Sequence, residues 1–445
     1  MVAPEPGITA DMERIKPAGG TGGSPAKVGI VGAGIVGLAV ARQLAAAGVP
    51  VTVFEKEASV AAHQTGHNSG VVHAGIYYAP GSAKARLTRR GVGLLKAYCA
   101  DKGLDYRELG KLVVARDAGE VVKLRELERR STVNQVPGLR WLDTAELREF
   151  EPDVAGVAAL LSPSTAITDY PAIARSFAAD VTAAGGEVLL STPVTGLRVK
   201  GRVGPGGGRE GSGGRAGSGG EGGSVEVDTP GQSFTFGKLI ICAGLQADLL
   251  AAAAGDSRAP EIVPFRGEYL RLTPRAATRV KRMIYPVPDP RYPFLGVHLT
   301  PRVDGTADLG PNAVLALARE GYRRTDVNLA DLARLGRSAA FWRLARKHWM
   351  TGVREYRGSF IRRAYLAEAR TYLPWITAAD VTSAPAGVRA QAVDANGGLV
   401  DDFRISQTGP VTAIRNAPSP AATASMAIAE HIIEELRLPL SNEER

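Results

Sequence analysis

The stretch KVGIVGAGIVGLAVARQLAAAGVPVTVFEKE, Lys27 to Glu57, decides how the rest of the chain is read. An apolar run, Val28 to Val31, leads into the turn Gly32-Ala33-Gly34-Ile35-Val36-Gly37. An apolar helical segment follows, and Val51 to Phe54 make a second strand that ends in Glu55 and Lys56. Glycines at this spacing permit a tight turn, close approach of backbone to a pyrophosphate, and close packing of helix on strand. The N-terminus of the helix attracts the phosphates, and an acid at the end of the next strand accepts hydrogen bonds from ribose hydroxyls. A bare GxGxxG is weak evidence, but here strand, turn, helix, second strand and acid all fall in place. The stretch therefore predicts a dinucleotide held by Gly32, Gly34, Gly37, Glu55 and Lys56.

Working outward, the choice between NAD and FAD rests on a later strand. The apolar run LIICAGLQADLL, Leu239 to Leu250, ends in an Ala-Gly turn of the kind that many FAD proteins set against the cofactor, which adds Ala243 and Gly244 to the predicted site. A second GxGxxG for a nicotinamide cofactor does not occur in the chain, so the expectation is one FAD and a substrate oxidised directly.

The remaining texture sets the architecture. A chain of 445 residues exceeds what one core serves and suits two domains. A strand and helix pair follows at Ala159 to Val199, and short strands rich in Pro and aromatics run on from Glu261. The predicted fold class is α/β, α+β overall: a Rossmann-like FAD-binding domain with an inserted mixed or antiparallel β-sheet substrate domain. The FAD-binding domain is expected to be discontinuous, over 26–105, 160–260 and 385–440, with the substrate domain at 106–159 and 261–384. Residues 1–25 read as a disordered tail, and the Gly-rich stretch 201–224 as a flexible insert within a β-meander. The segment APSPAATASMAIAEHIIEELRL predicts a C-terminal helix whose start is marked by Ser419 and Pro420.

Charge and cysteine content exclude several classes. The net charge of +9 comes from scattered pairs such as Arg89-Arg90, Arg129-Arg130 and Arg362-Arg363 rather than a basic tract, and no nucleic-acid motif accompanies it. Two cysteines, Cys99 and Cys242, are too few for a disulfide framework or a metal cluster, which points to a reducing cytoplasm and no metal. The most apolar run, Val28 to Val40, is broken by glycines and soon meets Arg42, so no membrane span is predicted.

One segment fits no regular element. HQTGHNSGVVHAGIYYAPGS, His63 to Ser82, has too much Gly and Pro for a helix and no clean alternation for a strand. Together with PFRGEY, YPVPDPRYPFLGVHLTPRVDG, LGPNAVLALAREGY, PAGVRAQAV and NAPSPAAT, it resembles the L-2-hydroxyglutarate dehydrogenase/oxidase family. That family lies within the FAD-dependent D-amino-acid oxidase and glycerol-3-phosphate dehydrogenase superfamily. The resemblance runs from about Lys27 to about Leu438; the tail and the Gly-rich insert have no counterpart in it.

The resemblance implies that the segment after Glu55 wraps from the pyrophosphate to the flavin ring. Thr65, Asn68, Ser69 and Gly70 then line the FAD, while His73, Tyr77 and Tyr78 face the substrate. Val194 falls where relatives hold the adenine end through backbone groups, and Pro418 and Ser419 bring a helix N-terminus near the flavin pyrimidine. The implied reaction oxidises L-2-hydroxyglutarate to 2-oxoglutarate by hydride transfer to the flavin, with quinone or dioxygen as final acceptor. Basic charge and resemblance together are compatible with peripheral contact on the inner face of the cell membrane.

A 2-hydroxy dicarboxylate needs anion clamps, and arginine grips carboxylates bidentately. Arg266, Arg302 and Arg389 stand in the family-like strings. For the proton acceptor, an imidazole suits neutral pH, its ordinary pKa being about 6.5. His348 falls in an amphipathic helix and His431 in the C-terminal helix, and His63 and His67 lie in the stretch expected to contact phosphate and ribityl groups, which leaves His73, favoured by position, and His298, with a tyrosine or no dedicated base as the remaining alternative. Rival readings are a flavoenzyme of the same fold acting on another 2-hydroxy acid, glycerol 3-phosphate or an amine, and a non-catalytic FAD-binding or tRNA-modifying partner.

Overall fold

The structure, a computed structural model, describes residues 27–200, 223–288 and 296–436. The expected tail at 1–25 and nearly all of the 201–224 insert lie outside the described residues.

Val28–Val31 is buried along its whole length, as is Val51–Phe54, so both faces need cover. Apolar strands of this kind belong in the middle of a parallel sheet clothed by helices. They form a six-stranded sheet ordered Arg404–Thr408, Val411–Asn416, Lys238–Ile241, Val28–Val31, Val51–Phe54, Glu187–Leu189. All neighbours are parallel except the edge pair Arg404–Thr408 and Val411–Asn416. Helix Ile35–Ala46 packs between helices Tyr170–Ala183 and Ser425–Glu435, and Leu38, Leu44, Phe177 and Ile432 meet in its core. The start of Tyr170–Ala183 is written in sequence: the Asp169 carboxylate accepts from the Ala172 amide at 3.0 Å, and Pro171 takes a first-turn position.

The second large sheet has eight strands, in the order Val381–Ser383, Leu270–Leu272, Ala307–Gly310, His298–Pro301, Met283–Pro286, Lys111–Ala115, Ala158–Ser162, Arg140–Asp143. Its pairings are antiparallel except for Met283–Pro286 against Lys111–Ala115, where two distant chain segments meet in parallel. The expected mixed substrate sheet is thus present, assembled from two insertions into the dinucleotide-binding sheet.

The structure departs from the sequence reading at three places. Ala158–Ser162 pairs with Lys111–Ala115, so that sheet runs past residue 159. Gly387–Val393 pairs with Glu261–Gly267, which ties the segment beginning at 385 to the substrate side. The C-terminal helix begins at Ser425 rather than at Ser419, and the residues before it form turns. A proline flanked by small residues suits a turn as well as a helix start, and here the turn prevails because it packs against the cavity described next.

Candidate active site

The glycine turn is shaped by contacts that allow no side chain. Gly32 has φ +106°, and a Cβ there would lie 2.5 Å from the Cys242 carbonyl oxygen; one on Gly37 would lie 2.1 Å from the Gly32 carbonyl oxygen. The turn therefore closes only with glycine at both positions. The Ala33 amide donates to Glu55 Oε2 at 2.9 Å, and the Glu57 amide donates to Glu55 Oε1 at 3.0 Å. Across the turn, the Ile35 amide at the helix N-terminus donates to Thr65 Oγ1 at 3.0 Å. Asn68 folds the following loop: its Nδ2 donates to the Thr65 carbonyl at 2.6 Å and its Oδ1 accepts from the Gly70 amide at 2.8 Å.

These groups border one end of a cavity of about 620 Å³ that runs from the glycine turn to the substrate sheet. Gly32, Gly34, Glu55, Lys56, Thr65, Asn68 and Ser69 line it, as do Val194, Ala243, Gly244, Pro418 and Ser419. Gly37 and Gly70 do not: the first serves helix-on-strand packing and the second turns the loop at φ +70°. A cradle that a Cβ would fill, an acid at the end of the second strand and a helix N-terminus facing a long cavity fit FAD.

The far end of the cavity is made of aromatic and cationic side chains. His73 and His298 line it with Tyr269, Tyr285 and Arg389. The His298 ring stacks on Tyr285, centroids 3.9 Å apart at 21°. Its Nδ1 lies 2.9 Å from the Gly296 carbonyl, an acceptor only, so Nδ1 carries the hydrogen and the neutral ring keeps its lone pair on Nε2. The backbone of His73 is held by its amide donating to Thr423 Oγ1 at 3.2 Å. Among the described residues His73 Nδ1 has no hydrogen-bond partner, so an imidazolium would seal an unsatisfied N–H donor there.

Electrostatics act in the same direction. Burial pushes the His73 pKa well below the ordinary imidazole value, and Lys111, His298, Lys84 and Arg389 add to the effect. Burial also carries His298 down to about 3, opposed by the Gly296 hydrogen bond and aided by Lys111 and Arg389. Both rings are therefore neutral at physiological pH.

The other expected substrate residues stand elsewhere. Arg266 is buried in an ion pair with Glu268, Nη2 to Oε1 3.1 Å, and does not line the cavity. Arg302 donates to the Asn68 carbonyl at 3.0 Å and pairs with Asp308 at 3.3 Å, so it braces the cofactor loop against the substrate sheet. Tyr77 and Tyr78 do not line the cavity: Tyr77 packs against the apolar cluster that contains Ile76, Val113 and Leu127, and Tyr78 lies under the Lys84 ammonium. These four are structural neighbours of the site rather than part of its lining.

Sequence reading overlooked Tyr269, Tyr285, Glu320 and Lys111. Tyr269 and Tyr285 lie inside the quoted strings PFRGEY and YPVPDP, so the signal was present. Glu320 belongs to a cluster with Glu57, His63 and Lys56 at the cavity rim. Lys56 Nζ donates to Glu320 Oε2 at 3.0 Å and lies 2.8 Å from His63 Nε2, so an ammonium occupies the centre of these three metal-type ligands. Tyr322 adds a hydroxyl 3.2 Å from His63 Nδ1 and stacks on His67 at 4.1 Å.

Comparison with known proteins agrees with this geometry. A family model described as DAO, FAD dependent oxidoreductase, matches residues 27–435. The mitochondrial L-2-hydroxyglutarate dehydrogenase of Homo sapiens is 43% identical over 416 residues, covering 92% of this chain and 88% of the relative. The L-2-hydroxyglutarate dehydrogenase of Escherichia coli O17:K52:H18 is 39% identical over 417 residues, covering 93% and 94%. Among solved structures, the FAD-bound L-alpha-glycerophosphate oxidase of Mycoplasma pneumoniae superposes with a TM-score of 0.72 at 22% identity, covering 95% of this chain and 97% of the other.

Proposed function

The chain belongs to the DAO family of FAD-dependent oxidoreductases and, within it, to the L-2-hydroxyglutarate dehydrogenases, and from that premise we propose that it oxidises L-2-hydroxyglutarate to 2-oxoglutarate. The carrying observation is the pairing, at one end of the FAD cavity, of an arginine that lines it with two imidazoles held neutral. Bound FAD supplies the two-electron acceptor. Arg389 holds one substrate carboxylate, and the aromatic walls of Tyr269 and Tyr285 exclude water from the carbinol carbon. His73 accepts the hydroxyl proton, and His298 holds the substrate through Nε2. A second assignment, with His298 as base, is favoured by one observation: its Gly296 hydrogen bond already fixes the lone pair on Nε2.

Anaerobic stopped-flow reduction with L-2-hydroxyglutarate, its D enantiomer, glycerol 3-phosphate and sarcosine tests the substrate. Reduction by L-2-hydroxyglutarate alone supports the reading, and preference for the amine or for glycerol 3-phosphate sinks it.

The electron acceptor we propose is a membrane quinone rather than dioxygen, reached by peripheral contact. Among the described residues, no helix is long and apolar enough to cross a membrane. Helix Ala339–Phe360, however, exposes Trp342, Trp349, Met350 and Val353 beside the exposed Arg346 and Lys347. Apolar anchors set among cations suit an anionic bilayer surface. Cosedimentation with anionic vesicles, lost in Trp342→Ser/Trp349→Ser, checks the contact. Faster turnover with dioxygen than with a soluble quinone would remove the acceptor assignment.

A further inference from the structure

Lys111 opens the strand Lys111–Ala115 and is wholly buried. Its ammonium stands 4.1 Å from the centre of the Tyr285 ring and 5.2 Å from that of Tyr77. Among the described residues, Nζ has no hydrogen-bond partner. Lys111 does not border the cavity, but Tyr285 does, and Tyr285 stacks on His298. The lysine thus lies one aromatic ring behind the substrate end.

A buried ammonium without hydrogen bonds or counter-charge is costly and calls for a reason. Around it stand the phenols Tyr77 and Tyr285, both made weaker acids by burial, and the imidazoles His73 and His298, both held neutral. Arg389 acts on the same two histidines, and Lys84 acts on His73. Burial alone drives the Lys111 ammonium down to about 7, and no described carboxylate opposes it. Asp401 pairs with Lys84 at 2.9 Å and acts on Arg389, but among the described residues no carboxylate acts on Lys111 itself, so the counter-charge it lacks is one that arrives with a ligand.

We propose that Lys111 is a positioning residue for a dianionic substrate: acting through the Tyr285 wall rather than by contact, it takes a proton from solvent when a dicarboxylate enters the cavity. This rests on the dicarboxylate reading above. One carboxylate faces Arg389, and Lys111 supplies the second positive charge at a distance. The aromatic face between them suits this role, since a ring tolerates a cation on its face and excludes water.

Calorimetric titration of the FAD-replete protein with 2-oxoglutarate, in buffers of different ionisation enthalpy, counts the protons taken up. In the wild type, uptake should rise from near zero at about pH 6 to most of one proton at about pH 8. Lys111→Met should take up none and bind 2-oxoglutarate about ten-fold more weakly at pH ~6.5. Lys111→Arg, always charged, should bind without uptake. The wild-type pH series needs no variant, so misfolding of Lys111→Met leaves the test intact. Binding without pH-dependent uptake in the wild type, or undiminished uptake in Lys111→Met, overturns the proposal. A wild type that binds no 2-oxoglutarate, yet is reduced by another substrate, overturns the dicarboxylate reading and this proposal with it, a failure visible before any variant is made.

Discussion

At the cofactor end of the cavity, the decisive groups come from one run of chain, residues 32 to 70, and most of them act through backbone atoms or through side chains that bind backbone. At the substrate end, His298, Tyr285 and Arg389 come from three different strands, with Tyr269 in a connection between two others and His73 arriving from the cofactor side. The first end is a local solution: close packing of glycine backbone permits one geometry, and a substitution breaks it. The second is a convergence of side chains, each replaceable in principle, whose chemistry depends on what the neighbours leave unpaired. Damage should accordingly be all-or-none at one end and graded at the other.

The sharpest test of that contrast is Gly37→Ala. A Cβ 2.1 Å from the Gly32 carbonyl oxygen cannot be accommodated without moving the turn. The variant should be isolated without flavin, read as loss of the visible flavin absorbance in the purified protein. Full flavin content there would show that the cradle gives way, and the contrast would fail.

At the substrate end, His73→Asn should keep its FAD but lose about 10²–10⁴-fold in the rate of anaerobic flavin reduction, the range for a general base. If His298→Asn shows this loss while His73→Asn merely weakens substrate binding, the two histidines exchange roles.

A smaller effect separates the arginines. Arg389→Lys should raise KM about thirty-fold, near the lower end of the ~2–5 kcal/mol seen when a buried charge pair loses a partner. Arg266→Lys should leave KM nearly unchanged and lower the melting temperature instead, because Arg266 serves Glu268 and the Arg323 carbonyl rather than the cavity. Equal rises in KM would place Arg266 in the site after all.

The smallest expected change is in pH dependence. A base must be unprotonated to act, and both candidate imidazoles are held below the ordinary value of about 6.5. The reduction rate should therefore stay level as pH falls from about 8 to about 6, since the neutral form persists when the pKa is lowered. An acid limb centred at pH 6.5 or above would mean that the reacting base is solvated.

How much of this was legible beforehand differs between the two ends for the same reason. Gly32, Gly34, Glu55, Ala243 and Gly244 could be named because a glycine turn between a strand and a helix carries its geometry in local spacing. Arg266, Arg302 and Arg389 looked alike, each an arginine in a family-like string. Only their places in the fold tell them apart: Arg389 lines the cavity, whereas Glu268 engages Arg266 and Asp308 engages Arg302 away from it. Lys111 passed unnoticed, because nothing in KLVVA announces that its neighbours across the sheet place it under Tyr285.

The sequence by itself determined the FAD-binding unit, the α/β class with its inserted sheet, and the family, since these depend on periodicity, turn chemistry and contiguous motifs. Tertiary structure alone decided which cations face the cavity, why two histidines stay neutral, and that a lysine lies sealed behind the wall. Burial and the pairing of charges are properties of residues far apart in the chain, and they exist only once the two sheets are brought together around the cavity.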